Sequence, residues 1–227
     1  MKNKLFLIIL GVFCAFPVYS QDDLMDLLEE ESENQNEIDY TTSTFKATRL
    51  LNGHSVETRD NGSLVFMISH RFGSVETGIR NFFGLDDSNI RLALEYGISD
   101  AIDIGFGRSS FKQMIDGFFK YKLLGQSSGA KVFPVTLTGF ASIGINSQES
   151  SNFTDPEVDF SDRVAYSYQL LIARKFNSAI SLQVMPTLIH RNQVVTIEDN
   201  DIYAVGFGGR YKFSKRTSIN LEYYLQF

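Results

Sequence analysis

An eleven-residue stretch, NIRLALEYGIS, alternates between apolar and polar positions along its whole length. Leu92, Leu94 and Tyr96 share one parity, whereas Arg91 and Glu95 belong to the other. Because successive side chains of a β-strand point to opposite faces, this pattern predicts a strand with one apolar and one polar face. The apolar face then meets either a protein core or lipid.

The same alternation recurs along the chain, and no helical period of comparable length appears. It predicts nine strands, near 64–72, 89–99, 101–108, 116–124, 134–146, 163–176, 179–191, 202–213 and 217–227. Most are about ten residues long, which suits a tilted membrane crossing better than a soluble sheet. The connections alternate between long and short, as in outer-membrane barrels, although residues 125–133 are too many for the tight turn expected there. These features predict an all-β fold, an antiparallel up-and-down transmembrane β-barrel.

This fold turns the apolar parity toward lipid and the polar parity toward the lumen. The predicted lipid-facing residues include Leu92, Leu94, Tyr96, Leu170, Leu182 and Leu221. The predicted lumen-facing residues include Arg71, Arg91, Glu95, Asp103, Lys120, Lys122, Arg191, Arg210, Lys212 and Glu222. Bases outnumber acids at the inward parity, which predicts a positive lumen that prefers anions. Inward glycines and long basic side chains indicate that this lumen is narrow and partly filled.

Two segments precede the strands. Residues 1–20, MKNKLFLIILGVFCAFPVYS, combine two lysines, a short apolar run and a small final residue, which predicts a cleaved secretory signal peptide and export to the outer membrane. Residues 21–40 carry nine acids and no base, so the acidity of the chain, whose net charge is −6, belongs to them and the remaining residues are net positive. We predict an acidic, disordered periplasmic tail over residues 21–44 and a barrel domain over residues 45–227.

The acidic tail allows two interpretations. It is either a solvated linker or a docking segment for a periplasmic protein through residues 22–40. Leu24, Leu27 and Leu28 favour docking, because their i, i+3, i+4 spacing would form one face of a short helix.

Several motifs are distributed between about Phe45 and the C-terminus: LLNGHSVET, ISHRFG, NFFGLDDSNIRLALEYGISD, DGFFKYKLLGQSSG, QLLIARKF, MPTLIHRN and GRYKFSKR. With these motifs the chain resembles a family of uncharacterised outer-membrane-type β-barrel proteins from Bacteroidota. The resemblance implies an outer-membrane-type barrel and supplies no activity, ligand or catalytic residue. Members of that family continue through further strands beyond the position of INLEYYLQF.

The strand count leads to a separate expectation for the chain end. With the tail in the periplasm, a ninth strand would finish at the external surface, whereas bacterial single-chain barrels use an even number of strands. An open edge would also expose unpaired backbone groups to lipid. We therefore expect an incomplete barrel that lacks an odd number of C-terminal strands, with no regular ladder between residues 64–72 and 217–227.

The sequence indicates no catalytic centre. His70 and His190 point outward near the long-loop rim, where an interfacial position is favoured over metal ligation. Ser69 beside His70 is no catalytic pair, since neighbours on a strand face opposite ways. We expect no enzyme activity, no metal, no cofactor and no nucleic-acid partner.

Three functional hypotheses follow from the pattern of strands, charges and segments. The first is a narrow anion-preferring solute channel in the outer membrane, in contact with its lipid. The second is a non-conducting barrel that serves as a docking scaffold through the acidic tail. The third is a soluble periplasmic barrel that binds an apolar ligand, with the aliphatic face turned inward. The solute, the partner and the oligomeric state are not specified by the sequence.

Overall fold

Strands form where the alternation of apolar and polar residues predicts them. The structure, a computed structural model, describes residues 37–76, 78–149, 159–194 and 199–227. The strands in this part of the chain are β1 (Ile38–Tyr40), β2 (Leu64–Arg71), β3 (Asn89–Ser99), β4 (Ile102–Ser109), β5 (Ile115–Leu124), β6 (Ser127–Gly129), β7 (Thr136–Ile145), β8 (Val164–Lys175), β9 (Ile180–Arg191), β10 (Asp201–Lys212) and β11 (Ser218–Gln226). All of their pairings are antiparallel, and the nine long strands match the predicted ones closely. The all-β antiparallel prediction is confirmed.

Nine strands form one meandering sheet in the order β2-β3-β4-β5-β7-β8-β9-β10-β11. The connection over residues 125–133 contains β6, which pairs with β1 so that Ile38 lies opposite Gly129. The unexpected length of this connection therefore supplies a partner strand for the chain just before it enters the barrel. Among the described strands β2 and β11 do not pair, so the sheet is open between them, as expected.

The sheet has two different ends. At the long-loop end lie the β2–β3, β4–β5, β7–β8 and β9–β10 connections, with 3₁₀ turns at Gly78–Asn81, Phe111–Gln113 and Ser161–Arg163. At the short-turn end lie the β3–β4, β5–β7, β8–β9 and β10–β11 connections. Within the described ranges, no helix has the length and apolarity needed to span a membrane.

The sequence places Pro186 in the middle of a strand, which predicts a β-bulge because proline cannot donate a ladder hydrogen bond, but β9 shows no such bulge. The ladder between β8 and β9 is interrupted between the Gln169–Thr187 pair and the Ile172–Val184 pair, where Pro186 lies. The register is the same on both sides of the interruption, so no extra residue is inserted. The sequence-based prediction of a bulge is wrong, because the ladder accommodates the missing N–H by losing local pairing instead.

The polar face of the sheet is the buried one. On β3, Leu92, Leu94 and Tyr96 are 40–48% exposed, whereas Ala93 and Glu95 are buried at 3% and 1%. The other predicted lipid-facing residues are likewise exposed on the outer face: Leu170, Leu182 and Leu221. The inner face is buried because a segment of the chain that precedes β2 lies against it.

Candidate functional site

A hairpin formed by residues 44–59, which we call the lumen hairpin, covers the inner face of the sheet. Its two limbs are joined by backbone hydrogen bonds from Ser55 N to Thr48 O (3.0 Å) and from Leu50 N to Gly53 O (2.9 Å). The first limb ends and the second begins around an Asn-Gly pair, which is a common turn dipeptide. The segment is therefore a folded insert rather than a tenth strand of the sheet.

The first limb of the lumen hairpin begins at the short-turn end, and the second limb returns to it. Lys175, the last residue of β8, donates from Nζ to the carbonyl of Thr42 (2.8 Å). Thr58 on the returning limb donates to the carbonyl of Asp100 in the β3–β4 turn (2.6 Å). The tip of the hairpin consequently points toward the long-loop end.

The carboxylate of Glu95 on β3 links the two limbs. Arg49 on the first limb donates from Nη2 to Oε1 of Glu95 (2.8 Å), and Arg59 on the second donates from Nη2 to Oε2 (2.6 Å). The Glu95 side chain is almost fully buried, while both guanidinium groups retain a small exposed fraction. Because a buried charge without a partner is costly, this inward carboxylate and the two arginines depend on one another.

Lys120 on β5 is the deepest charged anchor. Its side chain is 0% exposed, and Nζ donates to the carbonyls of Glu57 (2.6 Å), Ser55 (3.3 Å) and Thr48 (3.4 Å). Asp103 on β4 lies 3.9 Å from Nζ and accepts a hydrogen bond from the hairpin backbone. The ammonium thus replaces its water with three hairpin carbonyls and one carboxylate, as a buried cation requires.

Neutral side chains bind the backbone of the returning limb. Thr138 on β7 donates to the carbonyl of Val56 (3.1 Å). Gln183 on β9 accepts from Val56 N (2.9 Å) and donates to the carbonyl of His54 (2.8 Å). Since the hairpin has few backbone partners of its own, these side chains satisfy buried polar groups that the sheet ladder cannot reach.

Glu222 on β11 binds the tip of the hairpin. Its carboxylate accepts from the backbone N–H of Leu51 (3.1 Å) and of Gly53 (3.0 and 3.1 Å). The hairpin therefore contacts both β3, near one edge of the sheet, and β11, at the other. The nine-stranded sheet must curve around the hairpin to bring these strands to a single segment.

Apolar contacts complete the attachment. The buried core cluster combines hairpin residues with residues of β8 and β9: Phe45, Leu50, Val56, Leu171, Ala173 and Met185. On β3, a Cβ at Gly97 would lie 2.4 Å from the carbonyl oxygen of Asp60, just after the hairpin. Glycine is needed there because the returning chain passes directly over the strand.

His54 lies inside this apolar part of the hairpin. Its ring centroid is 4.5 Å from that of Phe118 and 4.3 Å from that of Phe140. The imidazole is buried, and its Nδ1 has no hydrogen-bond partner among the described residues. This histidine packs as an aromatic group between two rings.

Among the cavities that adjoin the lumen hairpin, two of similar volume lie at its opposite ends. The cavity beyond the tip has a volume of about 430 Å³, and its lining includes Arg71, Arg91 and Asp116. Within it, Arg91 donates to both carboxylate oxygens of Asp116, including an Nε to Oδ1 bond of 2.9 Å. The second, of about 420 Å³, lies at the short-turn end beside Lys46, and we call it the basic cavity.

The family model that matches this chain is described as a membrane bound beta barrel domain (DUF5777), and the match covers residues 45–227. The chain belongs to this family. No curated protein and no solved structure matches it. Membership in the membrane bound beta barrel domain family explains why the sheet exposes an apolar face, since a membrane replaces water there.

The predicted lumen-facing residues of this family member fall into three groups. Those that touch the lumen hairpin are Glu95, Asp103, Lys120 and Glu222. Those that line a cavity are Arg71 and Arg91 beyond the tip, and Arg210 and Lys212 in the basic cavity. The third group lies elsewhere: Arg191 donates to the carbonyl of Asp199 (3.2 Å) at the long-loop end, and Lys122 is half-buried on β5.

Two other sets of predicted residues are placed differently. Leu24, Leu27 and Leu28 lie outside the described residues. His190 pairs with Asp201, with 2.7 Å between Nδ1 and Oδ1, and stacks on Tyr166. Within the described ranges, no group of three or more His, Cys, Asp or Glu side chains could hold a metal ion.

Sequence patterns did not reveal the partners of the inward charges. Arg49 and Arg59 precede the first long strand, in a stretch that alternates poorly, so no local pattern placed them on the inner face. One signal was present, because Asn52-Gly53 between two short apolar stretches is a hairpin dipeptide. The inward acids Glu95 and Asp103 also required cations that their own strands do not supply in sufficient number.

Proposed function

We propose that the lumen hairpin plugs the lumen of this membrane-bound β-barrel. The protein then acts in the outer membrane as a non-conducting docking scaffold. The observation that carries the proposal is the attachment of the hairpin to side chains of six strands, β3, β4, β5, β7, β9 and β11. A segment held on so many sides blocks the path of a solute through the lumen.

The energetics of the anchors support a closed resting state. Moving the hairpin away would separate Glu95 from two arginines and remove three carbonyl partners from the buried ammonium of Lys120. Leaving one member of a buried ion pair uncompensated costs roughly 3–5 kcal/mol. Spontaneous opening is therefore rare unless another molecule compensates these charges.

The position of the chain upstream of the hairpin supports docking. Ala130 N donates to the carbonyl of Glu37 (3.2 Å), and β1 pairs with β6 in the β5–β7 connection. The described chain thus begins at the short-turn rim, which faces the periplasm in the proposed orientation. We propose that the acidic groups of residues 22–36, together with Leu24, Leu27 and Leu28, bind a periplasmic protein with a basic and apolar surface.

Planar-bilayer recording tests the closed state. We expect the wild-type chain to insert without steady unitary conductance. Lys120→Met should increase the frequency of conducting events, because it removes the ammonium that holds three hairpin carbonyls. Lys131→Met, which changes an exposed lysine outside the hairpin contacts, is the matched control. Steady conductance by the wild type would overturn the closed scaffold.

An anion-preferring channel is the second candidate, and the charge of both cavities favours it. Arg71 and Arg91 beyond the tip, and Arg210 and Lys212 in the basic cavity, put cations on either side of the hairpin. Any current that appears should therefore prefer anions in a salt gradient. A reversal potential that shows cation preference would contradict this candidate.

Photo-crosslinking in cells tests the docking segment. A photoreactive amino acid at Leu27 should yield one discrete protein adduct, which Leu24→Ser combined with Leu28→Ser should abolish. The same probe at Lys131, on the same rim but outside the segment, is the control position. Absence of any adduct at Leu27, with normal membrane assembly, would contradict docking through residues 22–40.

A further inference from the structure

The basic cavity collects positive charge from four separate parts of the chain. Its cationic lining residues are Lys46, Lys175, Arg210, Lys212, Lys215 and Arg216. They come from the entry limb of the lumen hairpin, the end of β8, strand β10 and the β10–β11 turn. No Asp or Glu of the described ranges lines the cavity, although acids outnumber bases in the whole sequence.

Three of these cations, Lys175, Arg210 and Lys212, are half-buried, and the other three, Lys46, Lys215 and Arg216, are exposed at the mouth of the cavity. Among the described residues, the ion pairs involve other cations, such as Arg49, Arg59 and Lys120. Of the six, only Lys175 has a side-chain hydrogen bond within the part of the chain that the structure describes, and its acceptor is the neutral carbonyl of Thr42. The Nε of Arg210 is buried and has no partner in that same part of the chain.

Cations that line one cavity attract anions, and the attraction is strongest for the half-buried Lys175, Arg210 and Lys212, which water screens least. The rest of the lining suits an oxyanion, because Ser43, Ser178 and Thr217 offer neutral donors around the cations. A volume of about 420 Å³ accommodates a small multivalent ligand.

We propose that the basic cavity binds a multivalent oxyanion of the phosphate class from solution, at the short-turn mouth of the lumen. The position disfavours a lipid headgroup, because Ser181 is buried and Arg210 pairs with it, on the face opposite to the exposed Leu182. The site does not depend on whether the lumen conducts, so failure of the scaffold proposal leaves it testable.

Isothermal titration with inorganic pyrophosphate tests the site, using the full chain in detergent. We expect saturable binding of one pyrophosphate that weakens as salt increases. Arg210→Gln combined with Lys212→Gln should raise Kd by about tenfold or more, because it removes two of the converging charges. Lys112→Gln combined with Lys131→Gln, which changes two cations outside the cavity, is the matched control and should leave Kd unchanged.

The binding comparison is valid only for variants that fold as barrels. Heat-modifiable migration on gels measures this folding for each variant. No binding by the wild type, or equal binding by the cavity variant and the wild type, would overturn the proposal. Equal loss in the control variant would also overturn it, since that result indicates only diffuse charge attraction.

The acidic segment of the same chain is the competing occupant. Its carboxylates between residues 22 and 33 are Asp22, Asp23, Asp26, Glu29, Glu30, Glu31 and Glu33. Replacing all seven with Asn or Gln should change the pyrophosphate Kd by less than about threefold. A gain of tenfold or more would show that these carboxylates occupy the cavity, and would overturn the solution anion as its ligand.

Discussion

The outer and inner faces of β3 use the same strand to meet two different environments. On the outer face Leu92, Leu94 and Tyr96 are apolar and exposed, whereas on the inner face Arg91 and Glu95 are polar and wholly or largely buried. A soluble protein shows the reverse distribution, because water favours polar exposure. Side chains of this barrel are therefore buried where the lumen hairpin covers them, and they are apolar where the strand faces the membrane.

Each face depends on something outside the strand. A continuous exposed apolar surface of this extent is unstable in water and marks a membrane contact. The fully buried inner charges Glu95, Asp103 and Lys120 are shielded from water, so the hairpin and the neighbouring strands must provide their partners. Substitutions on the two faces should therefore destabilise the protein for different reasons.

The largest effect is expected on the inner face. Glu95→Ala leaves Arg49 and Arg59 without their carboxylate and should lower the free energy of unfolding by roughly 3–5 kcal/mol. Urea unfolding in lipid vesicles measures this loss. Glu76→Ala, which changes an exposed acid in the β2–β3 connection, should alter stability by much less. A change below about 1 kcal/mol would show that the hairpin does not rely on this anchor.

The outer face should show an effect that depends on depth. Leu94 is central in β3 and lies between Phe66 and Phe106, so Leu94→Arg should cost roughly 2–4 kcal/mol. Leu92 lies opposite Arg108 near the long-loop end, and Leu92→Arg should cost less. Folding yield in vesicles and urea midpoints compare the two. Equal or reversed losses would mean that lipid does not cover this face as proposed.

The smallest loss of stability is expected at glycines, and it should depend on how closely another backbone segment passes over each of them. Gly97→Ala places a methyl group 2.4 Å from the carbonyl oxygen of Asp60 and should cost about 1–3 kcal/mol through a forced shift. Gly139→Ala is its control, because a Cβ there would meet only Tyr121 O at 3.9 Å. Denaturant midpoints of the two variants should differ clearly; indistinguishable midpoints would remove the close-approach argument.

Much of the sheet could be predicted because strand alternation is a local property. The parity of Leu92 against Arg91 depends only on adjacent residues, so the sequence already separates the faces and spaces the nine long strands. The antiparallel order follows as well, since short connections join neighbours in sequence. Pro186 is the exception, because a missing N–H can be accommodated by a bulge or by lost pairing, and the sequence does not distinguish them.

The lumen hairpin and the basic cavity were decided only by the tertiary structure. Glu95 binds Arg49 and Arg59, which lie 46 and 36 residues away in the sequence. Glu222 binds the hairpin tip, which lies 169 or more residues away. Such partners are set by the curvature of the whole sheet, which no local period encodes. The sequence by itself determined which side chains point inward; only the folded sheet determined which of them would find a partner there, because pairing of charges requires convergence in space.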